Sequence, residues 1–325
     1  MTDEILKILE YFPVGRCRVL RGGGGTASPK YIIRAGNARY LLRKRRAEFS
    51  GEKTVRFDQS VIMRLAEEGF PVAVPEETIR GKRAVYSGKE VWELFRYIEG
   101  LEDFRQGNKL QIISAGKTLG GMHRALSQFE PEGEKPWTRE FHPAKIEREL
   151  ADAAAELKGA LNKDIAGRIF GELRNLSENY ARRDLTRSVI HGDYTSANVK
   201  FRGGAAGGIF DFDWTMREAV LYDIARGIAY FTAAREKPVD DSDIFSLVQP
   251  CRIIPERAEL FMEAYSEEFE LSRNDVLNLP CALKEFFIGS RVRAMRKAPE
   301  GRKPELLDER LLRMLDEAEN DWTCR

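Results

Sequence analysis

Over residues 1–100, apolar positions fall in short runs separated by turn residues, which predicts strands with one helix. Tyr31-Ile32-Ile33 and Tyr40-Leu41-Leu42 flank the turn signal Gly36-Asn37 and read as a hairpin behind the glycine run Gly22 to Gly25. Phe57, Val61, Ile62 and Leu65 lie on one side of a helix expected over Phe57 to Glu68, stopped by Gly69 and followed by Pro71 and Pro75. Arg83–Tyr86 and Trp92–Tyr97, around Ser87-Gly88, predict two more strands. The texture changes at Glu99-Gly100. Beyond it Ile112, Ala115, Leu119, Met122 and Leu126 recur at spacings of three and four, one buried helical stripe. Residues 143–182 read as one or two charged helices broken near Asn162-Lys163-Asp164, and residues 255–320 return to helices. The outline is an α+β chain with a small antiparallel-sheet lobe, residues 1–98, and a larger mainly helical lobe, residues 99–325. Ligands favour such junctions.

Composition changes this picture little. The chain has 325 residues, 42% hydrophobic and 32% charged, as a globular enzyme does. A formal net charge of +1 argues against a nucleic-acid or anionic-membrane partner. Met1 to Phe12 is amphipathic, unlike a signal peptide, and no run approaches the roughly 18 apolar residues of a membrane helix. Cys17, Cys251, Cys281 and Cys324 are far apart and read as reduced thiols, so a cytoplasmic setting is expected. With only His123, His142 and His191, a histidine-rich metal site is not expected.

The chemistry concentrates in residues 189–213. His191-Gly192-Asp193 follows an apolar strand, Asn198 comes five residues after Asp193, and another strand follows. Protein-kinase catalytic loops have the same Asp-to-Asn spacing, which places a proton acceptor and a metal-binding amide on one loop. Val199–Phe201 and Ile209–Phe210 can pair around the glycine-rich turn Arg202 to Gly208, returning Asp211 beside Asn198. An amide and a carboxylate at adjoining strand ends suit a hard divalent cation. The pattern predicts ATP- and magnesium-dependent phosphoryl transfer.

The segment Val189 to Tyr230 resembles the aminoglycoside phosphotransferase and choline kinase superfamily, whose members share a bilobal protein-kinase-like fold. Ile209-Phe210-Asp211-Phe212-Asp213 is similar to that family's Ile-Asp-Phe-Asp segment, and Leu221-Tyr222-Asp223-Ile224-Ala225 to its Tyr-Asp-Ile-Ala. The resemblance implies Asp193 as catalytic base, His191 as a brace of the catalytic loop, Asn198 and Asp211 as Mg2+ ligands, and Asp223 as a structural support. In the first lobe Gly23, Gly24, Gly25 and Thr26 would cover the ATP phosphates, although no Walker lysine follows. The family's phosphate-binding strand lysine falls on Arg43, with Lys44 one residue off, and strand alternation favours Arg43. Its acidic partner would be Asp58, and adenine would meet the backbone around Phe95 to Tyr97. His123 reads as a packed structural residue. Asp213 and Glu218 either face a cationic substrate group or make surface ion pairs. Glu259 to Pro280 resembles the C-terminal helices of homoserine-kinase-like and spore-coat-kinase-like members. The expected acceptor is a hydroxyl of a small molecule: an amino alcohol, homoserine-like compound, sugar or aminoglycoside. The atypical Arg43 and Asp58 keep open a catalytically silent, nucleotide-binding pseudokinase.

Overall fold

A computed structural model of the chain describes residues 2–22, 29–135, 142–157, 159–180, 184–240 and 242–320. The first lobe is a five-stranded antiparallel sheet in the order β1-β2-β3-β5-β4: β1 (Cys17–Gly22), β2 (Lys30–Ala35), β3 (Ala38–Lys44), β4 (Val85–Ser87) and β5 (Glu90–Arg96). The predicted β2–β3 hairpin pairs Ala35 with Ala38 around Gly36, which takes φ 58°. Helix α1 (Thr2–Leu9) packs Ile5, Ile8 and Leu9, with Phe12, against Ile33, Leu42, Trp92 and Leu94 of the sheet.

Helix α2 (Glu52–Glu67) starts five residues before the apolar stripe that predicted it, because Thr54 and Val55 of its first turn are also buried. It stops at Gly69, whose φ of 83° suits a helix-ending glycine. Phe57, Val61, Ile62 and Leu65 share a core with the second lobe rather than with the sheet's own cluster.

The second lobe is built on α3 (Lys109–Leu126), capped by Asn108, with its entire predicted stripe buried. Then come α4 (Pro143–Glu156), α5 (Lys163–Asn175), β6 (Arg187–Ile190), β7 (Val199–Arg202), β8 (Ala205–Ile209), β9 (Met216–Ala219), α6 (Leu221–Gly227) and β10 (Ala233–Arg235). The chain ends with α7 (Ile244–Leu247), β11 (Cys251–Ile253), α8 (Pro255–Ser266), α9 (Arg273–Ala294) and α10 (Glu309–Asn320). Asn162 caps α5 with its side chain, which is why the helical stretch breaks there. Helices α3 and α8 approach so closely that a Cβ on Gly116 would lie 2.1 Å from the Phe261 carbonyl oxygen. No helix among the described residues is long and apolar enough to cross a membrane.

Candidate active site

The catalytic-loop candidate begins where β6, buried at Ser188, Val189 and Ile190, runs into His191. Gly192 takes φ 77°, and a Cβ there would lie 2.1 Å from the Trp214 carbonyl oxygen, so only glycine fits this turn. The His191 and Gly192 amides donate to the two carboxylate oxygens of Asp223 at 2.7 and 2.8 Å. Asp223 is fully buried. Burial alone would raise its pKa, but the hydrogen bond and charge of His123 outweigh that and hold it below the ordinary value. His123, buried between Asp223 at 3.4 Å and the Tyr265 hydroxyl at 2.8 Å, is thus a packed structural residue.

His191 spends both ring nitrogens on backbone. Nε2 lies 3.0 Å from the Phe210 carbonyl and Nδ1 accepts from the Asp193 amide at 3.2 Å. Burial lowers its pKa, favouring the neutral ring that this bonding needs. The geometry is that of a brace, not a proton carrier. Asn198 donates through Nδ2 to the Asp193 carboxylate at 2.8 Å and to its carbonyl at 2.9 Å. The two ends of the loop are thereby tied side chain to side chain.

The β7–β8 hairpin forms with Val199 opposite Ile209, and the Phe210 amide donates to the Asn198 carbonyl at 2.9 Å. Asp211 therefore returns beside Asn198. It sits at φ 64°, ψ 65°, the only non-glycine residue at positive φ among those described. That left-handed backbone is strained for a residue with a side chain, and it aims a partly exposed carboxylate at the cleft.

The first lobe's charged residues depart from expectation. Strand β3 and the residue after it put Arg43 and Arg45 on one side and Lys44 on the other, where Lys44 pairs with Glu90 at 2.7 Å over Trp92. The expected Arg43–Asp58 pair is not formed. Arg43 donates to Glu93 at 2.7 Å and to Asp211 at 3.4 Å, and lies 3.1 Å from Asp213. Asp58 instead pairs with Arg45, accepts from Thr215 at 2.5 Å and meets Lys135 at 2.5 Å. The physical reason is reach: Glu93 stands directly across β3–β5 from Arg43, whereas Asp58 lies under Arg45. Asp58 is fully buried and does not line the cleft. Asp213 is also buried, 3.1 Å from both Arg43 and Arg45, so it does not face a substrate; Glu218 pairs with Arg187. Burial would raise the Asp213 carboxyl, but the Arg43 and Arg45 charges pull its pKa down to about 2.

Glu93, Arg45 and Lys135 were missed from sequence, although an acid inside the apolar run Val91-Trp92-Glu93-Leu94-Phe95 is a usable signal for a buried ion pair. Arg43, Phe95, Tyr97, Asn198 and Asp211 line one cleft of ≈520 Å³ between the lobes. Phe95 lies under Arg43, with the guanidinium 5.5 Å from its ring, and Arg39 sits 4.6 Å over Tyr97. The Tyr97 amide donates to the Arg39 carbonyl at 2.9 Å, so that amide is not open to an adenine. Gly23, Gly24, Gly25 and Thr26 lie outside the described residues. A second cavity of ≈700 Å³ shares Asp103, Ala197 and Lys200 with the cleft and runs to Tyr230 and Arg235.

A sheet lobe and a helical lobe, with an Asp-Asn loop and a left-handed Asp at their junction, define a small-molecule kinase of protein-kinase-like fold. The chain belongs to the Phosphotransferase enzyme family (APH), whose model matches residues 18–257. The homoserine kinase of Chelativorans sp. (strain BNC1) is 26% identical over 235 residues, covering 69% of this chain and 67% of that protein. The homoserine kinase of Zymomonas mobilis subsp. mobilis (strain ATCC 31821 / ZM4 / CP4) is 23% identical over 281 residues, covering 84% and 79%. The fold is similar to that of amicoumacin kinase hAmiN in complex with AMP-PNP, Ca2+ and Ami, with a TM-score of 0.67, 16% identity and coverage of 97% and 93%. It is also similar to choline kinase from Cryptosporidium parvum Iowa II, with a TM-score of 0.63, 14% identity and coverage of 98% and 96%.

Proposed function

We propose that this kinase transfers the γ-phosphoryl group of ATP to a hydroxyl of a small molecule with the help of Mg2+. The observation that carries the reading is the Asp193 carboxylate, held by Asn198 on the loop that adjoins Asp211 and the interlobe cleft. Nucleotide use is supported by the hAmiN complex with AMP-PNP and by a spectinomycin phosphotransferase of similar fold in complex with ADP.

The residues present fit a divalent cation. Asn198 commits its amide nitrogen to Asp193, leaving its carbonyl oxygen as a ligand, and Asp211 offers a partly exposed carboxylate. Among the described residues no group of three or more His, Cys, Asp or Glu side chains could hold a metal. The Asn198 and Asp211 oxygens suit Mg2+, which takes one or two protein oxygens and completes its shell from phosphate and water. Bound there, it would neutralise charge on the phosphates.

In the transfer, the acceptor oxygen forms a bond to the γ-phosphorus while the bond from that phosphorus to the β–γ bridging oxygen breaks. ADP leaves with the electron pair, and Asp193 takes the hydroxyl proton. Arg43 lines the cleft and would supply positive charge to a nucleotide bound there. Glu93, Asp213 and Phe95 fix its guanidinium, so little reorganisation is needed.

Asp193→Asn preserves shape but removes the proton acceptor, and kcat should fall by about 10²–10⁴. Asp211→Ala should abolish magnesium-dependent turnover. Steady-state ADP release with a panel of amino alcohols, homoserine-like compounds, sugars and aminoglycosides reads both. Unchanged turnover in either variant would refute the assignment.

A further inference from the structure

Arg235 is a cation built into the wall of the second cavity. It ends β10, opposite Cys251 of β11. Gln106 grips its backbone from both sides, accepting from the Arg235 amide at 3.0 Å and donating to its carbonyl at 3.3 Å. The guanidinium lies 5.0 Å over the Tyr230 ring, and Nη2 donates to the Ala229 carbonyl at 2.6 Å. Its Nε is buried without a hydrogen-bond partner. No carboxylate among the described residues stands within ion-pair distance of Arg235.

The surroundings do not compensate this charge. Arg291, buried at 3% exposure, bonds among the described residues to the Phe287 and Gln249 carbonyls and the Met314 sulfur. It too has no ion-pair partner among the described residues. Burial lowers the Arg291 pKa to about 10; Cys251 and Asp308 oppose the fall only in part, and the Arg235 charge adds to it. On the rim, Lys200 is satisfied by Asp103, while Glu236, Lys237 and Asp240 are exposed and solvated. The uncompensated charge thus lies in the wall, across from Ser196 and Ala197 of the loop that carries Asp193. Tyr230, which holds up the guanidinium, is also close enough to Asp193 to feel its charge.

We infer that Arg235 seats a carboxylate of the phosphate acceptor, so that the acceptor is a small hydroxy acid and not a neutral or polycationic alcohol. The inference rests on the kinase reading above. A guanidinium pairs with a planar carboxylate through two parallel hydrogen bonds. A single arginine matches a monoanion better than a phosphate dianion. An aminoglycoside would bring ammonium groups toward Arg235 and Arg291, which repel them.

Matched pairs that differ only by the carboxylate test this with the full-length protein, ATP and Mg2+. Homoserine with 3-aminopropan-1-ol, threonine with 1-aminopropan-2-ol, and serine with ethanolamine are suitable, alongside glucose, glucose 6-phosphate and kanamycin. A hydroxy acid should exceed its decarboxylated partner by about 10-fold or more in kcat/KM. Arg235→Gln should raise KM for that acid by about 10–100-fold with kcat and the KM for ATP held, closing the gap within the pair. Arg235→Lys should fall between, since it keeps charge but not the fork. Preference for an amino alcohol, sugar, sugar phosphate or aminoglycoside overturns the proposal, as does an Arg235→Gln loss equal for both members of a pair. The wild-type comparison needs no variant to fold. Thermal shift with ATP and Mg2+ separates the two readings: a chain that binds nucleotide but prefers decarboxylated acceptors remains a kinase and loses this inference.

Discussion

Gly192 and Asp211 show how single residues set the geometry of the candidate site. Gly192 has no room for a side chain, because Trp214 backbone occupies the place of its Cβ, and its φ of 77° is costly for any other residue. Gly192→Ala should destabilise the protein by about 2–4 kcal/mol, since backbone and not a flexible side chain must yield. Urea unfolding followed by circular dichroism checks it, and an unchanged midpoint would mean that the turn relaxes freely. The approach of Asp193, Asn198 and Asp211 to one another was legible in the sequence because their spacing is local and the hairpin between them needs only a short turn. The partners of Arg43 were not. Glu93 is 50 residues away, and only the β3–β5 register, invisible in a linear pattern, places it opposite. Asp58 was expected, by the family resemblance, to partner Arg43 but pairs with Arg45, because the two arginines lie two residues apart and the sequence does not say which reaches α2.

At the scale of elements, β3, β5, α2 and the turn Phe212–Trp214 meet in a buried ionic cluster of Arg43, Arg45, Lys135, Asp58, Glu93 and Asp213. The cluster replaces apolar packing at the junction of the lobes. Its worth lies in fixing orientation, since buried pairs often add little net stability while their disruption is costly. Asp213 makes this measurable. Its folded pKa of about 2 lies below the ordinary 3.8, so the folded state binds its proton more weakly than the unfolded chain. The associated stability, on the order of 2 kcal/mol, is fully present above pH 3.8 and disappears as pH falls toward 2. Asp213→Asn should lower stability at neutral pH by about 3 kcal/mol, because Arg43 and Arg45 lose a shared counter-charge. Its stability should also vary less with pH between 3.8 and 2 than that of the wild type, as urea titrations at successive pH values would show. Parallel curves for the two proteins would mean that Asp213 is not ionised by the arginines as described.

At the scale of the whole molecule, the hydrophobic cores do not follow the change of texture near Glu99. The sheet and α1 close over their own cluster of Ile5, Ile8, Leu9, Phe12, Ile33, Leu42 and Trp92. Helix α2, although it lies between strands of the first lobe, contributes Phe57, Val61, Ile62 and Leu65 to the large core with Ile112, Leu119 and Met122 of α3. The smaller core should therefore open on its own at lower free energy, as local units with less buried apolar surface do. Opening would cost Asp58 its bond to Arg45 and Gln59 its bond to Glu93, yet Lys135 and Thr215 would still satisfy Asp58, so the larger apolar burial should keep α2 with the second lobe. Native-state hydrogen exchange should show β2 and β3 amides exchanging through one opening while Val61 to Leu65 stay protected together with α3. ATP with Mg2+ should protect the sheet selectively, by about 2.7 kcal/mol at a hundred times the dissociation constant, because the nucleotide would bridge the lobes and bind only the closed sheet. Joint exchange of α2 with β2 and β3 would show that the ionic cluster, not apolar burial, decides which elements move together, and that α2 travels with the sheet when the cleft opens.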